Sequence, residues 1–551
     1  RQMCIRDRIG SGRIRPSDEN TMADEIVSAV LPKIAGASGI TLPLDQVPVE
    51  QLTTSSSSAY RHYVLGMLWV SQHRVADAQA EFELAISEDE GFALAYFQLA
   101  RTYFGGVTVA PNIAKARRYT AEAWKCVDRL GTKEKLLLGA FQHGLDYEIT
   151  LEMESLRGFV ERWPDDKELL GFFESQAFWW WYFEDIVEIA GRARKIYPDD
   201  HHLQGATLTQ ALINLGREEQ ARRNAEAYLE KEPDDPNGWD VLGLSYLALG
   251  HPDSAEAAYR KAVELDPDWG GIVFADCAYH EGKLEMAIAK AESLIIESDP
   301  AEEDLIAYVM YAYTHHMGLP ALYREAGRYS DAVRVMEDSR KYVEDDPTFW
   351  QYQAGRLYSC VGMADRALEI AGEMEKSDEI RARVFAMRFK GLAHVAAGDL
   401  DKAAASAVMT HRLAETAGLF ISYPAHKLDA AIALAENDGP AALKAIGMMA
   451  DIQKSLVNGM IDVDYRDMLA DAYQVDGVID RAIETHLETL RILGGHAISH
   501  YKLGLLYEQV GEPGKAAAHY ERFLEMWRDA DEGLPQPQHA RERLEALKGR
   551  I

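Results

Sequence analysis

Two histidines four residues apart are the strongest candidates in this sequence for metal chemistry. His496 and His500 would lie on one face of a helix, as the two zinc ligands of an H-E-x-x-H motif do. The residues between them lack the glutamate of that motif, which acts as the general base. The adjacent histidines at 201–202 and 315–316 would point about 100° apart on a helix, so they would chelate an ion poorly. We therefore expect no metal site.

No other pattern typical of catalysis or cofactor binding is present. The sequence contains no glycine-rich phosphate loop, no G-x-S-x-G motif and no kinase signature. Carboxylate pairs such as Asp199-Asp200 occupy positions typical of solvated turns after a helix ends. We therefore predict no cofactor, no catalytic residue and no intrinsic enzymatic activity. One alternative is an enzyme or small-ligand-binding protein whose site lies in the irregular stretches Gly105–Gly144 or Tyr311–Tyr329.

The overall composition argues against several classes of function. The chain has 551 residues with 89 acidic and 58 basic side chains, which gives a net charge of −31. Nucleic acid is not an expected partner, because binding a phosphate backbone requires clustered lysine and arginine. The four cysteines lie far apart, so no disulfide framework or zinc site is predicted. No apolar run approaches the roughly 18 residues of a membrane span, and the N-terminus lacks the apolar core of a secretion signal.

One stretch, Pro236–Trp269, shows the pattern on which the rest of the chain is built. Trp239, Leu242 and Tyr246 recur at helical spacing and would form one buried stripe, with Gly250 at the turn to a second helix. The signature residues in chain order are Trp239, Leu242, Gly243, Tyr246, Ala255, Tyr259, Ala262 and Pro267. They match W-x2-L-G-x2-Y…A-x3-F/Y…P, so the stretch resembles a tetratricopeptide (TPR) repeat.

The repeat recurs along most of the chain. Pro164 and Pro198 are 34 residues apart, as are Pro233 and Pro267, and this is the period of the family. We count about thirteen copies within residues 59–530, of which the third, eighth and eleventh are weak or stretched. A single copy cannot bury its apolar face alone and needs neighbours. The resemblance implies an all-α, right-handed superhelical solenoid, which we expect to be elongated.

The flanking segments differ from the repeats in composition. In chain order we predict a disordered or artefactual N-terminus (1–22), a short helix and linker (23–58), the TPR array (59–530) and a C-terminal capping segment (531–551). Met3–Arg8 resembles translated sequencing adapter, which suggests a fragment of a longer protein. Near the other end, Pro535-Gln536-Pro537 should break the chain before a polar capping helix at Gln538–Lys548.

The family resemblance also implies a concave groove, lined by the first helix of each copy, that binds a protein or peptide. Aromatic side chains there would offer a large contact area, and an aspartate strip in the twelfth copy would favour a basic stretch of the partner. The predicted groove residues are Tyr60, Tyr63, Phe97, Arg101, Trp269, Tyr279, Phe349, Tyr352, Arg356, Asp464, Asp467 and Asp471. The Lys/Asn/Arg clamp of chaperone-binding TPRs is not present, so an acidic chaperone tail is not expected.

Six consecutive aromatic residues, Phe178–Phe183, need a separate explanation. A helix cannot bury a continuous run on one side, so some of these rings must point away from a single buried face. Packing against the irregular second and third copies is the favoured interpretation. The alternative is an exposed aromatic patch, which would mark an interaction site.

These observations predict a scaffold for protein–protein interaction. Residues 23–35 and the later stretch VPVEQLTTSSSSAYRHYVLGM resemble the passage from a TolB-like domain into its TPR array. Bacterial adenylate cyclases, transmembrane Ser/Thr kinases and winged-helix regulators carry such arrays, so the resemblance implies the regulatory or sensory C-terminal part of a bacterial signalling protein. The expected location is cytoplasmic, or extracytoplasmic if a membrane anchor lies upstream. An accessory subunit of a secretion or envelope assembly is a further alternative.

Overall fold

The computed structural model of this chain describes most of the predicted repeat array. The described residues are 54, 56–71, 74–104, 112–198, 205–266, 273–297, 318–340, 348–377, 379–415, 418–452 and 464–548. The predicted N-terminal segment at 1–22, nearly all of 23–58 and the histidines at 201–202 and 315–316 lie outside them.

The described residues form twenty-seven α-helices, one 3₁₀ turn at Val127–Arg129 and no β-strand, which confirms the all-α prediction. The first fourteen helices are α1 (Ser57–Ser71), α2 (Val75–Glu88), α3 (Ala93–Phe104), α4 (Ile113–Lys125), α5 (Thr132–Leu145), α6 (Ile149–Arg162), α7 (Lys167–Trp179), α8 (Phe183–Ile196), α9 (Ala206–Asn214), α10 (Glu218–Leu229), α11 (Pro236–Ala248), α12 (Pro252–Leu265), α13 (Val273–His280) and α14 (Leu284–Glu297). The others are α15 (Leu319–Glu325), α16 (Tyr329–Ser339), α17 (Thr348–Cys360), α18 (Ala364–Met374), α19 (Ile380–Ala396), α20 (Leu400–Ala414), α21 (Gly418–Ala435), α22 (Gly439–Ile452), α23 (Asp464–Val475), α24 (Ile479–Ile492), α25 (Ala497–Gln509), α26 (Pro513–Met526) and α27 (Pro535–Leu547).

The helices stack as pairs in chain order. Within a pair the two helices pack against each other, as α11 and α12 do, and the second helix then packs against the first helix of the next pair. First helices also contact one another, because α19 packs against both α17 and α21. This arrangement is a helical solenoid in which the first helices share one face. The right-handed sense and the number of repeats remain predictions.

A residue with positive φ joins the two helices of most pairs. Gly250 has φ of 77° between α11 and α12, at the turn where the sequence placed it. The other pair-joining glycines with positive φ are Gly216, Gly282, Gly327, Gly362, Gly398, Gly477 and Gly511. Glycine adopts this conformation without steric cost. Two pairs have an aromatic residue there instead, Tyr147 with φ of 59° and Trp181 with φ of 66°.

The solenoid is not open along its whole length, because late helices pack against early turns. Arg491 Nη1 donates a hydrogen bond to the carbonyl of Leu249 at 3.1 Å, and Arg522 Nη2 donates to the carbonyl of Gly282 at 2.6 Å. These partners are 242 and 240 residues apart, about seven repeats of 34 residues. We call this contact, between the described residues of 147–330 and those of 379–531, the seam. An array elongated throughout, as the sequence predicted, would not make it.

The two aromatic residues with positive φ lie in the seam. Tyr147 is 2% exposed, its hydroxyl donates to Glu379 Oε2 at 3.4 Å, and the Arg381 guanidinium lies 6.0 Å from its ring centroid. The Trp181 ring lies edge-on to Tyr423, with centroids 6.0 Å apart. A left-handed backbone costs a residue other than glycine about 1–2 kcal/mol. Tyr147 and Trp181 therefore adopt, at a steric cost, the turn conformation that glycine adopts in the other pairs, and both also make contacts across the seam.

The aromatic run Phe178–Phe183 spans the end of α7, the turn and the start of α8. Trp180, Trp181 and Phe183 are 3–5% exposed, whereas the other three rings are half-buried. Trp180 Nε1 donates to Glu152 Oε2 at 2.7 Å, and its ring packs 5.9 Å from that of Tyr147. These contacts confirm the packing interpretation. Because the run changes from helix to turn, its rings do not need to share one helical face.

The last helix begins earlier than the sequence suggested. α27 starts at Pro535, so the prolines predicted to break the chain lie in its first turn. That prediction is wrong because the first backbone N–H groups of a helix have no intrahelical partner, so proline is tolerated there. α27 packs against α26, at the end of the stack. Within the described ranges, none of the helices combines the length and apolarity that crossing a bilayer requires.

Candidate functional site

Two predicted groove residues, Tyr60 and Tyr63, form an aromatic pair on α1. Their ring centroids are 6.3 Å apart with an angle of 22° between the ring planes, and both side chains are half-buried. The Tyr63 ring also packs against Phe82 at 5.9 Å and Phe92 at 5.2 Å. Burial raises the pKa of Tyr63 well above its ordinary value. The pair therefore rests on the core and keeps part of its surface open.

Arg101 and Phe97 lie on α3, the next first helix. Phe97 is 2% exposed and packs against the rings of Phe141 and Phe172, so it is a core residue rather than an open groove residue. Arg101 is half-buried as a residue, its guanidinium lies 4.6 Å from the Phe172 centroid, and its Nη1 donates to Gln98 Oε1 at 2.9 Å. Arg101 thus stacks on a ring of its own chain.

The predicted groove residues in the middle of the chain are only partly described. Tyr352 is half-buried on α17, with its ring centroid 4.3 Å from that of Phe385. Arg356 is half-buried one turn further along the same helix. Phe349 belongs to α17, but its side chain lies outside the description, and Trp269 lies outside the described residues altogether.

Tyr279 and Asp467 come together although they are far apart in sequence. Tyr279 is fully buried on α13, and its pKa is raised by burial and then by the negative charges of Glu325 and Asp467. Glu325, at the end of α15, is 4% exposed and pairs with Arg324 at 2.9 Å. The seam therefore brings acidic groups from both halves of the chain to Tyr279.

The predicted aspartate strip already has basic partners within the chain. Asp471 Oδ1 accepts a hydrogen bond from Lys502 Nζ at 2.7 Å. Asp467 Oδ2 lies 3.5 Å from Nε2 of His496. Asp464 begins α23, but its side chain is not among those described. A basic segment of a partner would have to compete with these internal groups for the strip.

One serine hydroxyl lies between two buried imidazoles near the same strip. Ser499 Oγ is 3.0 Å from His486 Nδ1 and 2.8 Å from His496 Nδ1. His500 has a different partner, because its Nδ1 is 2.9 Å from Nδ1 of His519. The sequence paired His496 with His500 and missed His486 and Ser499. The position of His486, four residues after the buried Ala482 on α24, was the available signal.

The groups around Ser499 and Tyr279 form one polar cluster, which consists of Tyr279, Glu325, Asp467, His486, His496 and Ser499. The side chains of Tyr279, His486 and His496 are exposed by only 0–2%, so a partner protein cannot reach them. The cluster instead contributes to the packing of the seam. The half-buried side chains around Tyr60, Tyr63 and Arg101 are the candidate contact surface.

The buried His486 should make stability depend on pH. Burial and then the neighbouring His496 and Lys502 lower the pKa of His486 from 6.5 to about 3. As the pH falls below 6.5, His486 becomes protonated in the unfolded chain but stays neutral in the folded chain. The contribution of His486 to the free energy of unfolding is therefore present above pH 6.5 and is lost as the pH falls towards 3. We expect His486→Gln to lose less stability than the wild type between pH 7.5 and pH 5, measured by urea unfolding at both pH values.

The exposed His251 provides the control for this experiment. His251→Gln should keep the full pH dependence of the wild type. Equal losses of stability in the wild type and in both variants would show that His486 does not contribute to the pH dependence.

Comparison with known proteins identifies a repeat in the chain. The model of the tetratricopeptide repeat family matches residues 236–269, the stretch that carries the signature in the sequence. Among curated proteins, the Hsp70-Hsp90 organizing protein of Triticum aestivum is 34% identical over 102 residues, which cover 18% of this chain and 16% of that protein. Tetratricopeptide repeat protein 37 of Xenopus laevis is 43% identical over 54 residues, which cover 9% of this chain and 4% of that protein. The chain therefore matches well under two thirds of either relative's length.

Solved structures similar to this chain include two that align with most of its length. Yeast Tom70 is 13% identical with a TM-score of 0.30, over 89% of this chain and 96% of that one. The APC/C hetero-tetramer Cut9-Hcn1 gives 14% identity and a TM-score of 0.30, over 92% of this chain and 99% of that one. The family match places a tetratricopeptide repeat at residues 236–269, and the described residues of the chain form an all-α fold.

Proposed function

We propose that this tetratricopeptide-repeat chain is a protein-interaction scaffold whose N-terminal first helices hold an extended or helical segment of a partner protein. The observation that carries the proposal is the half-buried stacked pair of Tyr60 and Tyr63 on α1. Tyrosine and arginine are enriched among the residues that dominate interface energies. A tyrosine pair that is held in place by the core also loses little side-chain entropy on binding.

The charges beside the tyrosine pair suggest the chemistry of the partner. Arg101 lies close enough to Tyr63 for its charge to oppose the rise in the tyrosine pKa that burial causes. The charge of the exposed Glu168 acts on both Tyr63 and Arg101. Lys133 Nζ pairs with Glu168 at 3.1 Å and with Asp166 Oδ2 at 3.0 Å. We therefore expect a partner segment with an aromatic or aliphatic residue for the tyrosine pair and a carboxylate for Arg101.

Removing Tyr60 should weaken binding without unfolding the chain. Peptides selected from a phage-displayed library on the wild-type chain would serve as probes, with affinities measured by fluorescence polarisation. We expect Tyr60→Ala to weaken the selected peptides by about 1–2 kcal/mol, or roughly 5–30-fold, because central aromatic contacts carry this much interface energy. The melting temperature should change little, since the ring is only half-buried.

Leu84→Ala is the matched control, because Leu84 is 46% exposed on α2, a second helix. It should leave peptide affinity unchanged. Phe97→Ala should instead lower the melting temperature, since its ring is 2% exposed. Peptides that bind wild type and Tyr60→Ala equally well, or a library that yields no binder, would contradict the proposed contact surface.

We further propose that the scaffold is the regulatory or sensory C-terminal part of a bacterial signalling protein. The support is the resemblance of residues 23–35 and of the following VPVEQL stretch to the junction between a TolB-like domain and a TPR array. Reading the genomic sequence upstream of Arg1 tests this proposal. A sensor or catalytic domain in the same reading frame is expected, and a stop codon immediately upstream would exclude it.

A further inference from the structure

Three potential metal ligands from two neighbouring helices converge near the end of α20. His411 Nε2 lies 2.7 Å from Asp429 Oδ2, and His426 Nδ1 lies 3.8 Å from the same oxygen. One ligand atom from each residue lies within 4.8 Å of the other two. Within the ranges that the structure describes, this is the one group of three or more His, Cys, Asp or Glu side chains with such spacing.

The local structure explains why these side chains meet. His426 and Asp429 are three residues apart on α21, so they share one face of that helix. His411 lies in the last turn of α20, which packs against α21. The two imidazole rings have centroids 5.4 Å apart and are inclined at 62° to each other. The register between the two helices, rather than a local motif, therefore creates the group.

The surroundings of His426 also point to an additional ligand. Its side chain is 12% exposed, and Nδ1 has no hydrogen-bond partner among the described residues. Leaving a buried polar atom without a partner destabilises the folded state. The atom lies 3.8 Å from the carboxylate of Asp429. The side chain of Asp429 is 37% exposed and that of His411 is 42% exposed. A small cation can therefore reach the group from solvent and supply the missing partner.

We propose that His411, His426 and Asp429 bind a divalent transition-metal ion. Two imidazole nitrogens and one carboxylate oxygen are a ligand set that suits zinc, with bonds of about 2.0–2.2 Å. Three protein ligands leave a fourth position for water or for a group from a bound partner. The ion would join α20 to α21, so it would hold the second helix of one pair to the first helix of the next.

Metal titration of the full chain tests the site directly. The chain is purified with a histidine-free tag, stripped with EDTA and titrated with Co²⁺, whose visible absorption reports coordination, and then with Zn²⁺. We expect one equivalent of Co²⁺ to give d–d bands that Zn²⁺ abolishes, and Zn²⁺ to raise the melting temperature. His426→Ala and Asp429→Asn should each weaken binding by about 100-fold or more, because losing even an outer hydrogen-bond partner of a ligand costs about 10–100-fold.

A histidine–carboxylate pair elsewhere in the chain provides the matched control. His62 Nδ1 lies 2.7 Å from Glu81 Oε2, the same separation as between His411 Nε2 and Asp429 Oδ2. In the described part of the chain, no third potential metal ligand lies close to this pair. His62→Ala should bind Co²⁺ like the wild type. Asp429→Asn is isosteric and lies at a half-exposed position, so the variant should keep the fold, and circular dichroism verifies this. If that variant does not fold, His411→Gln replaces it as the test of the site. Wild type without Co²⁺ bands, or variants that bind like the wild type, would overturn the proposal.

Discussion

Replacing Trp527 with alanine should release the C-terminal helices from the first part of the stack. Trp527 is 1% exposed, and its Nε1 donates to the carbonyl of Glu325 across the seam at 2.7 Å. Its ring also packs 6.1 Å from that of Tyr329. Truncating a buried tryptophan to alanine costs about 3–5 kcal/mol. Hydrogen exchange should show lost protection in α15 and α16 as well as in α26, because the contact joins both regions.

Trp124 on α4 allows the same substitution to be made away from the seam. Its side chain is 38% exposed, so Trp124→Ala should change the melting temperature little. If Trp527→Ala loses protection only within α26 and α27, then the seam does not stabilise α15 and α16. Equal stability losses in the two variants would likewise show that the seam contributes little.

A methyl group added at Gly504 should destabilise the fold, whereas one added at Gly514 should not. A Cβ at Gly504 would lie 2.4 Å from Cε1 of Tyr520, whose side chain is fully buried. Overpacking of this kind costs about 1–3 kcal/mol, and the larger Gly504→Leu should cost more. A Cβ at Gly514 meets no atom within 4 Å, and the residue is exposed on α26. Gly514→Ala should therefore leave stability unchanged or raise it slightly, because alanine favours the helical conformation more than glycine does and Gly514 is the second residue of α26.

Urea unfolding of the two alanine variants measures this contrast with one chemical change. A Gly504→Ala variant at least as stable as the wild type would show that the Tyr520 ring moves aside at no cost. The same ring contact occurs at Gly243 beneath Tyr259, so Gly243→Ala should repeat the result in another pair.

The sequence predicted the local features of the fold well because those features depend on residues close in sequence. The repeat signature contains a small residue in its first helix and an aromatic residue in its second, and the structure shows the two in contact. Gly243 lies against Tyr259 and Gly504 against Tyr520, each sixteen residues further on. Both members of this contact belong to the signature, so the pattern predicts the packing as well as the helices.

The seam could not be predicted from the sequence in the same way. Whether one superhelical turn of the repeat array contacts the next depends on small rotations between neighbouring helix pairs. These rotations accumulate over about seven repeats. Tyr147 and Trp181 occupy turn positions where glycine is usual, but their types do not indicate what they contact. The burial of Phe97 and Tyr279 was missed because a repeat position indicates which face a residue occupies, not what later packs against that face.

The three-residue group on α20 and α21 was missed for a related reason. The i,i+3 spacing of His426 and Asp429 is visible in the sequence, but His411 is fifteen residues earlier. Its distance from Asp429, 2.7 Å, depends on how far α20 and α21 slide along each other. Such a register is set by packing, whereas the motifs searched in the sequence require ligands on one helix or loop.

The seam also changes how unfolding should spread through the chain. In a simple repeat array each repeat interacts only with its neighbours, so the ends fray independently of the middle. Here the hydrogen bonds from Tyr147 to Glu379 and from Arg522 to Gly282 join residues 232 and 240 positions apart. Melting the last pairs therefore removes contacts from the middle of the chain, which extends cooperativity over many repeats. These distant contacts also raise the contact order, which among small proteins goes with slower folding.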